Sequence, residues 1–146
     1  MNRIWLDNKG YSLLELLLVL IIIMVISSSS IYLSNRYIEK LAFDLFFNQL
    51  VLDARQVQLT AVEEGRSMKL IFEKGGTRYT GRKSIFEPIM VRHLPDGYTL
   101  SQSSHLTELS FHPNGAIEKF GTLTFNTPTG LKLVRVYIGK GRMSLE

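Results

Sequence analysis

Cysteine is absent from the 146 residues. No disulfide and no thiolate metal site can form, so packing alone must hold the fold. The three histidines, His93, His105 and His112, have no companions at metal-ligand spacing and read as surface loop residues. No glycine-rich phosphate loop with its lysine is present, and Gly139-Lys140-Gly141-Arg142 reads as a hairpin turn. Ser103, Ser104, His105 and Glu108 have the residue types of a hydrolase site, but sequence neighbours in one loop seldom form one. The expectation is a non-enzymatic protein with no metal and no cofactor. Proline is missing from residues 11–33, which leaves that stretch free to run as an uninterrupted helix.

What is present is concentrated at the front. Lys9-Gly10-Tyr11-Ser12-Leu13-Leu14-Glu15 leads into an apolar run over residues 16–26. Residues 1–10 carry Arg3 and Lys9 against Asp7, and positive charge beside an apolar segment holds that end in the cytoplasm. Residues 11–33 are long enough to cross a hydrocarbon core of ~30 Å as a helix. One carboxylate, Glu15, falls just inside. A charge at the centre of such a helix costs ~2.5–3.5 kcal/mol, and less near the surface, so its presence asks for a partner. Ser27, Ser28, Ser29 and Ser30 interrupt the apolar surface, and their hydroxyls can bond to carbonyls one turn earlier. These serines also offer the cleavage site of an ordinary secretory signal peptide. That reading gives neither Glu15 nor the Lys9-Gly10 junction a role.

The helical signal continues past residue 33. Phe43, Phe47, Leu50, Ala54, Val57 and Ala61 recur at spacings of four and three, which gathers them into one stripe. Asp44, Gln49, Asp53, Arg55, Gln56 and Gln58 fall largely off it. Gly65 is a natural stop, although Glu63 and Glu64 oppose the helix dipole there. A helix over residues 12–64 would be about 80 Å long. The pattern is too short for a free-standing coiled coil, so the second half is expected to pack into a small globular domain.

After Gly65 the period becomes alternating. Strands are expected at 68–72, 77–80, 84–91 (with Pro88 marking an edge or bulge), 98–101, 106–111, 121–125, 131–138 and 142–145, the last two as a hairpin. Lys74-Gly75-Gly76, Leu94-Pro95-Asp96-Gly97, His112-Pro113-Asn114-Gly115 and Thr127-Pro128-Thr129-Gly130 supply turns. The fold class is α+β, with sheets packed on the helix stripe. Formal charge is +4, unevenly placed, with seven basic and two acidic residues between Arg66 and Arg92. A solvated face is the plain reading, and attraction of polyanions the other. Tyr79 between Arg78 and Arg82, and Tyr137 between Arg135 and Lys140, are candidate stacking platforms for a single strand or else sheet-packed tyrosines.

Gly10-Tyr11-Ser12-Leu13-Leu14-Glu15 resembles the signal of type IV pilins and pseudopilins, with tyrosine where phenylalanine is usual. The resemblance implies cleavage by a prepilin peptidase between Gly10 and Tyr11, methylation of the Tyr11 amine, and Glu15 as the assembly carboxylate. The turns at residues 94–97 and 111–115 and the closing Val136-Tyr137-Ile138-Gly139-Lys140-Gly141-Arg142 resemble the minor-pseudopilin domain shared with general secretion pathway pseudopilin H. Among such chains the sequence is most similar to ComGD-type pseudopilins of the Gram-positive competence machinery.

That likeness implies a pilin-like fold divided into a leader (1–10), a transmembrane assembly helix (11–33), an amphipathic continuation (34–64) and a β-rich domain (65–146). It implies a structural subunit of a fibre serving DNA uptake in natural transformation, anchored in the cell membrane and displayed at the cell surface. Its partners would be other pilin or pseudopilin subunits, the prepilin peptidase, a polytopic membrane platform protein and a cytoplasmic assembly ATPase. A pseudopilin of a secretion or pilus system, and a DNA-contacting tip subunit, stand as alternatives.

Overall fold

The computed structural model describes residues 12–73, 75–84 and 87–146, with backbone alone for residues 29–36. Two compact units divide it, Met1–Ile38 and Glu39–Glu146. Helix α1, Leu13–Glu63, supplies residues to both and departs from the expected 12–64 by one residue at each end.

In the first unit every described side chain over residues 12–28 is exposed, Leu16 at 58% and Ile22 at 48% among them. The Ser28 hydroxyl donates to the Met24 carbonyl at 2.8 Å, the bond one turn back that lets serine sit inside an apolar helix. Among the described residues no helix is long and apolar enough to cross a membrane. The described apolar side chains over residues 13–26 cover only about 21 Å at 1.5 Å per residue.

In the second unit the helix buries Phe43, Phe46, Leu50, Ala54, Val57 and Ala61. Phe46 takes the place expected for Phe47, which is only half-buried. The exchange is one position within the same turn, and both rings satisfy the spacing to Leu50. Asp53, expected off the stripe, is buried at 2% exposure. The helix ends as its sequence demands: Gly65 stands at φ 63°, its N–H reaches the Val62 carbonyl, and the Arg66 N–H reaches the Ala61 carbonyl. This is the paired closure of a Schellman motif.

Eight strands follow among the described residues: β1 (Met68–Phe72), β2 (Arg78–Arg82), β3 (Pro88–His93), β4 (Thr99–Leu100), β5 (Glu108–Phe111), β6 (Gly121–Thr127), β7 (Gly130–Val136) and β8 (Met143–Leu145). They form two four-stranded antiparallel sheets, ordered β3-β2-β1-β5 and β4-β6-β7-β8. The expected strand 84–91 begins at Pro88 and runs to His93 on the edge of its sheet, beside a register shift at Gly81/Arg82, where a residue without an N–H is tolerated. The expected hairpin of the last two strands is β7–β8.

One core unites helix and sheets. Leu70 of β1 stands between Gly81 of β2 and Leu109 of β5. Phe46 meets Phe125 of β6 edge-on at 5.3 Å, and Phe72 lies 5.7 Å from the same ring. Such edge contacts add about 0.5–1.5 kcal/mol to area burial.

Candidate functional site

The start of α1 positions the carboxylate singled out in the sequence. Ser12 lies just outside the helix; its carbonyl accepts from the Glu15 and Leu16 N–H groups at 3.0 and 3.1 Å, and its hydroxyl accepts from Leu14 N–H at 3.3 Å. Ser12 is therefore the cap, and Glu15 the third residue of the helix, the spacing of a capping box. An acid in the first turn also complements the helix dipole. Glu15 thus has a local reason to be there that the sequence pattern Ser-x-x-Glu already carried. Its side chain is exposed beside exposed Leu16, Val19 and Leu20. The other two signal residues, Gly10 and Tyr11, lie outside the described residues.

The basic stretch from Arg66 to Arg92 is not a bare cationic face. Glu73 takes Arg78 and Arg82 together with the Thr80 hydroxyl at 2.7 Å. The Thr80 hydroxyl, then the two arginines, outweigh burial and hold its carboxyl below the usual range. Lys69 and Lys119 share Glu108; burial there pushes the carboxyl up, but the two ammonium groups win and it too sits low. Lys83 pairs with Glu64, and Arg92 reaches Asp53 at 3.3 Å. Lys69, Arg78, Arg82, Lys83 and Arg92 thus each meet a carboxylate, Glu73 from within the stretch and Asp53, Glu64 and Glu108 from outside it.

Tyr79 is a core residue and not a stacking platform. It is 1% exposed, and its hydroxyl donates to Asp53 at 2.8 Å. Gln49 donates to the other oxygen of Asp53 at 2.7 Å. Burial first, then the bond and charge of Asp53, push the Tyr79 hydroxyl well above its ordinary range. No sequence signal announced this cluster, because Asp53 and Tyr79 are brought together only when β2 packs on the helix.

The serine-histidine group is spent on loop structure. Ser104 bonds the Leu106 carbonyl at 2.6 Å and accepts the Thr124 N–H at 3.0 Å, while Ser103 faces Ser101 and Glu108 belongs to its lysines. His105 packs on Gly121, where a Cβ would come within 2.3 Å of its Nδ1. His112 Nδ1 lies 3.5 Å from Glu118. Tyr137 is half-buried, with the Arg142 guanidinium 5.3 Å above its ring.

Opposite its buried stripe, the helix exposes a second one: Leu41 at 51%, Leu45 at 62%, Leu52 at 60%, Leu59 at 63% and Val62 at 48%. Leu45, Leu52 and Leu59 are seven apart, and Leu41 and Val62 belong to a parallel heptad row with Asn48 and Arg55. The spacing was legible in the sequence, but it runs through the same stretch as the stronger core stripe. Beside it, the helix and the β7–β8 hairpin enclose a groove of about 470 Å³ with Ala54, Leu59, Phe111 and Met143 on its walls and Arg55, Lys140 and Arg142 among its lining.

Comparison with known proteins agrees with the front of the chain and with its fold. Residues 5–31 match the prokaryotic N-terminal methylation motif. No curated protein matches the chain. Among solved structures, the type IV minor pilin FimU of Pseudomonas aeruginosa is similar at 20% identity and a TM-score of 0.51, over 68% of this chain and 88% of that one. A second crystal form of FimU gives 18% identity and 0.46 over 68% and 89%. The fold is that of type IV pilins, a long helix packed on antiparallel sheets, and the methylation motif overlaps the first part of that helix.

Proposed function

We propose that this protein is a minor assembly subunit of a pilus-like fibre, anchored in the cell membrane by residues 11–33 and exposed at the cell surface once assembled. The observation that carries the reading is Glu15, an ionisable side chain in the first turn of a helix whose described side chains over residues 12–28 all lack cover within the chain. A helix exposed and apolar on every side finds its cover in lipid or among other helices. Prepilin peptidase cuts between Gly10 and Tyr11, and the Tyr11 amine is methylated but stays cationic. Glu15 of an incoming subunit then faces the Tyr11 amine of its neighbour. In low dielectric the pair attracts strongly, and removing one partner strands the other charge. Subunits at the wrong axial height leave Glu15 unpaired, so the pair sets register.

The process served is DNA uptake in natural transformation, with a polytopic platform protein and a cytoplasmic ATPase driving assembly; this rests on the ComGD-like closing run at residues 136–142. A minor subunit of a type IV pilus or a secretion pseudopilus is the second reading, favoured by the likeness to the FimU fold. Loss of transformation with intact piliation and export in a deletion strain supports the first, and the converse the second.

Amino-terminal sequencing of membrane-extracted protein tests the processing. It is expected to begin at Tyr11 in wild-type cells and at Met1 in cells lacking the peptidase; Met1 in both sinks the reading. Glu15→Gln isolates the charge, because glutamine at this position still serves a capping box. The variant is expected to be cleaved normally and to drop out of fibres, whereas wild-type incorporation removes the charge-pair mechanism.

A further inference from the structure

Asn114-Gly115 is the one asparagine-glycine step in the sequence, and such a step carries its own chemistry. The Gly115 nitrogen, once it gives up its proton, can attack the Asn114 Cγ. The new N–Cγ bond closes a succinimide ring, and the side-chain nitrogen takes up a proton and leaves as ammonia. Solvent water then opens the ring at either carbonyl, giving aspartate or isoaspartate. Glycine favours the attack because no side chain shields its nitrogen.

The fold holds this step in the loop that follows β5. The His112 N–H donates to the Ala116 carbonyl at 2.8 Å, and Phe111 and Ile117 bridge across the base. Proline, asparagine and a glycine at φ 76°, in that order, suit a type I turn followed by a left-handed residue. Two bonds inside the loop oppose the attack. The Gly115 N–H donates to the His112 carbonyl at 2.8 Å, which retains the proton that has to leave. The Asn114 Oδ1 accepts from the Ala116 N–H at 2.9 Å, which ties down the amide that is attacked.

The loop is in turn clamped to α1. The Gln58 Nε2 donates to the Gly115 carbonyl and, at 3.0 Å, to the Lys140 carbonyl of the β7–β8 hairpin. Gly115 is buried there, and a Cβ on it would come within 3.1 Å of the Val62 Cγ2. Asn114 itself is exposed, so the water that completes the reaction is at hand.

We infer that Asn114-Gly115 is a self-modification site gated by Gln58. It is silent while the loop is docked on α1, and it converts to aspartate and isoaspartate when the loop lifts off. The change runs one way. Isoaspartate lengthens the main chain by a methylene group beside Gly115, which has no room to shift toward Val62. The site therefore records the opening of the loop, and it needs neither processing nor assembly of the chain.

The test incubates the full-length chain, in lipid nanodiscs, in mildly alkaline heavy-oxygen water. Peptide mass spectrometry reads label taken up at Asn114, with exposed Asn126, followed by branched Thr127, as the internal control. Urea is expected to speed labelling of Asn114. In native buffer Gln58→Ala is expected to speed it roughly tenfold, because the loop opens more often without its two bonds to the clamp, with unchanged far-UV dichroism. Tyr79→Phe loosens the core elsewhere and is expected to label at the wild-type rate, which separates lifting of the loop from unfolding of the whole unit. Equal labelling in native buffer and urea, a wild-type rate in Gln58→Ala, the same acceleration in Tyr79→Phe, or equal labelling of Asn126 overturns the inference.

Discussion

Asp53 is a buried carboxylate whose two oxygens are taken by Gln49, Tyr79 and Arg92, one partner from its own helix and two from the first sheet. Burying such a group is costly unless its lone pairs are met, so the cluster fixes the helix to β2 and β3 at one rotation. Tyr79→Phe removes a donor and leaves one oxygen underserved, with an expected loss of about 1–3 kcal/mol in urea denaturation. The same hydroxyl gives an alkaline signature. Its proton is held more tightly folded than unfolded, where its value is near 10.0, so neither state releases it at neutral pH. Above about pH 10 the unfolded chain ionises first, and stability falls as pH rises. Denaturation at pH 8 and pH 11 should show a smaller loss in Tyr79→Phe than in wild type; an equal slope would place the alkaline sensitivity elsewhere.

At the scale of elements, α1 is apolar on two opposite faces over its second half, and only one is used within the chain. The used face depends on a close approach. Gly81 of β2 lies against Val57, where an added Cβ would come within 2.9 Å of the Val57 Cγ2 and 3.1 Å of the Met90 Cγ. Here glycine serves as the absence of a side chain rather than for an unusual φ. Gly81→Ala is expected to push helix from strand and cost about 1–3 kcal/mol by thermal or chemical denaturation; a neutral result would mean that Met90 yields freely. The sequence displayed the alternation of β1 and the glycine of β2 without saying which helix residue crosses there. Phe46 replaced Phe47 in the core for a related reason, since the aromatic rings that receive it come from remote segments: Tyr79 of β2, Tyr98 just before β4 and Phe125 of β6.

At the scale of the molecule, the two units have different relations to solvent. Glu39–Glu146 encloses a shared core of helix and two sheets, while the described side chains of residues 12–28 enclose nothing. A fragment spanning Glu39–Glu146 is expected to unfold in one cooperative transition with coincident near-UV and far-UV dichroism. Transitions that separate would show that the core depends on residues before Glu39.

The sequence by itself determined whatever is local or periodic. The signal segment, the helix from its serine cap to its glycine closure, and the alternation of the strands depend on neighbours within a few residues. The seven-residue spacing of Leu45, Leu52 and Leu59 was equally local, but which of two apolar stripes would be buried was not. Tertiary structure decided that choice, along with the burial of Asp53 by Tyr79 and the pairing of Lys69, Lys83 and Arg92 with carboxylates remote in sequence. It also set Arg55, Lys140 and Arg142 around one groove. Those outcomes depend on which strands meet the helix and at what distance, and a one-dimensional pattern carries residue types and intervals but no contacts between remote segments.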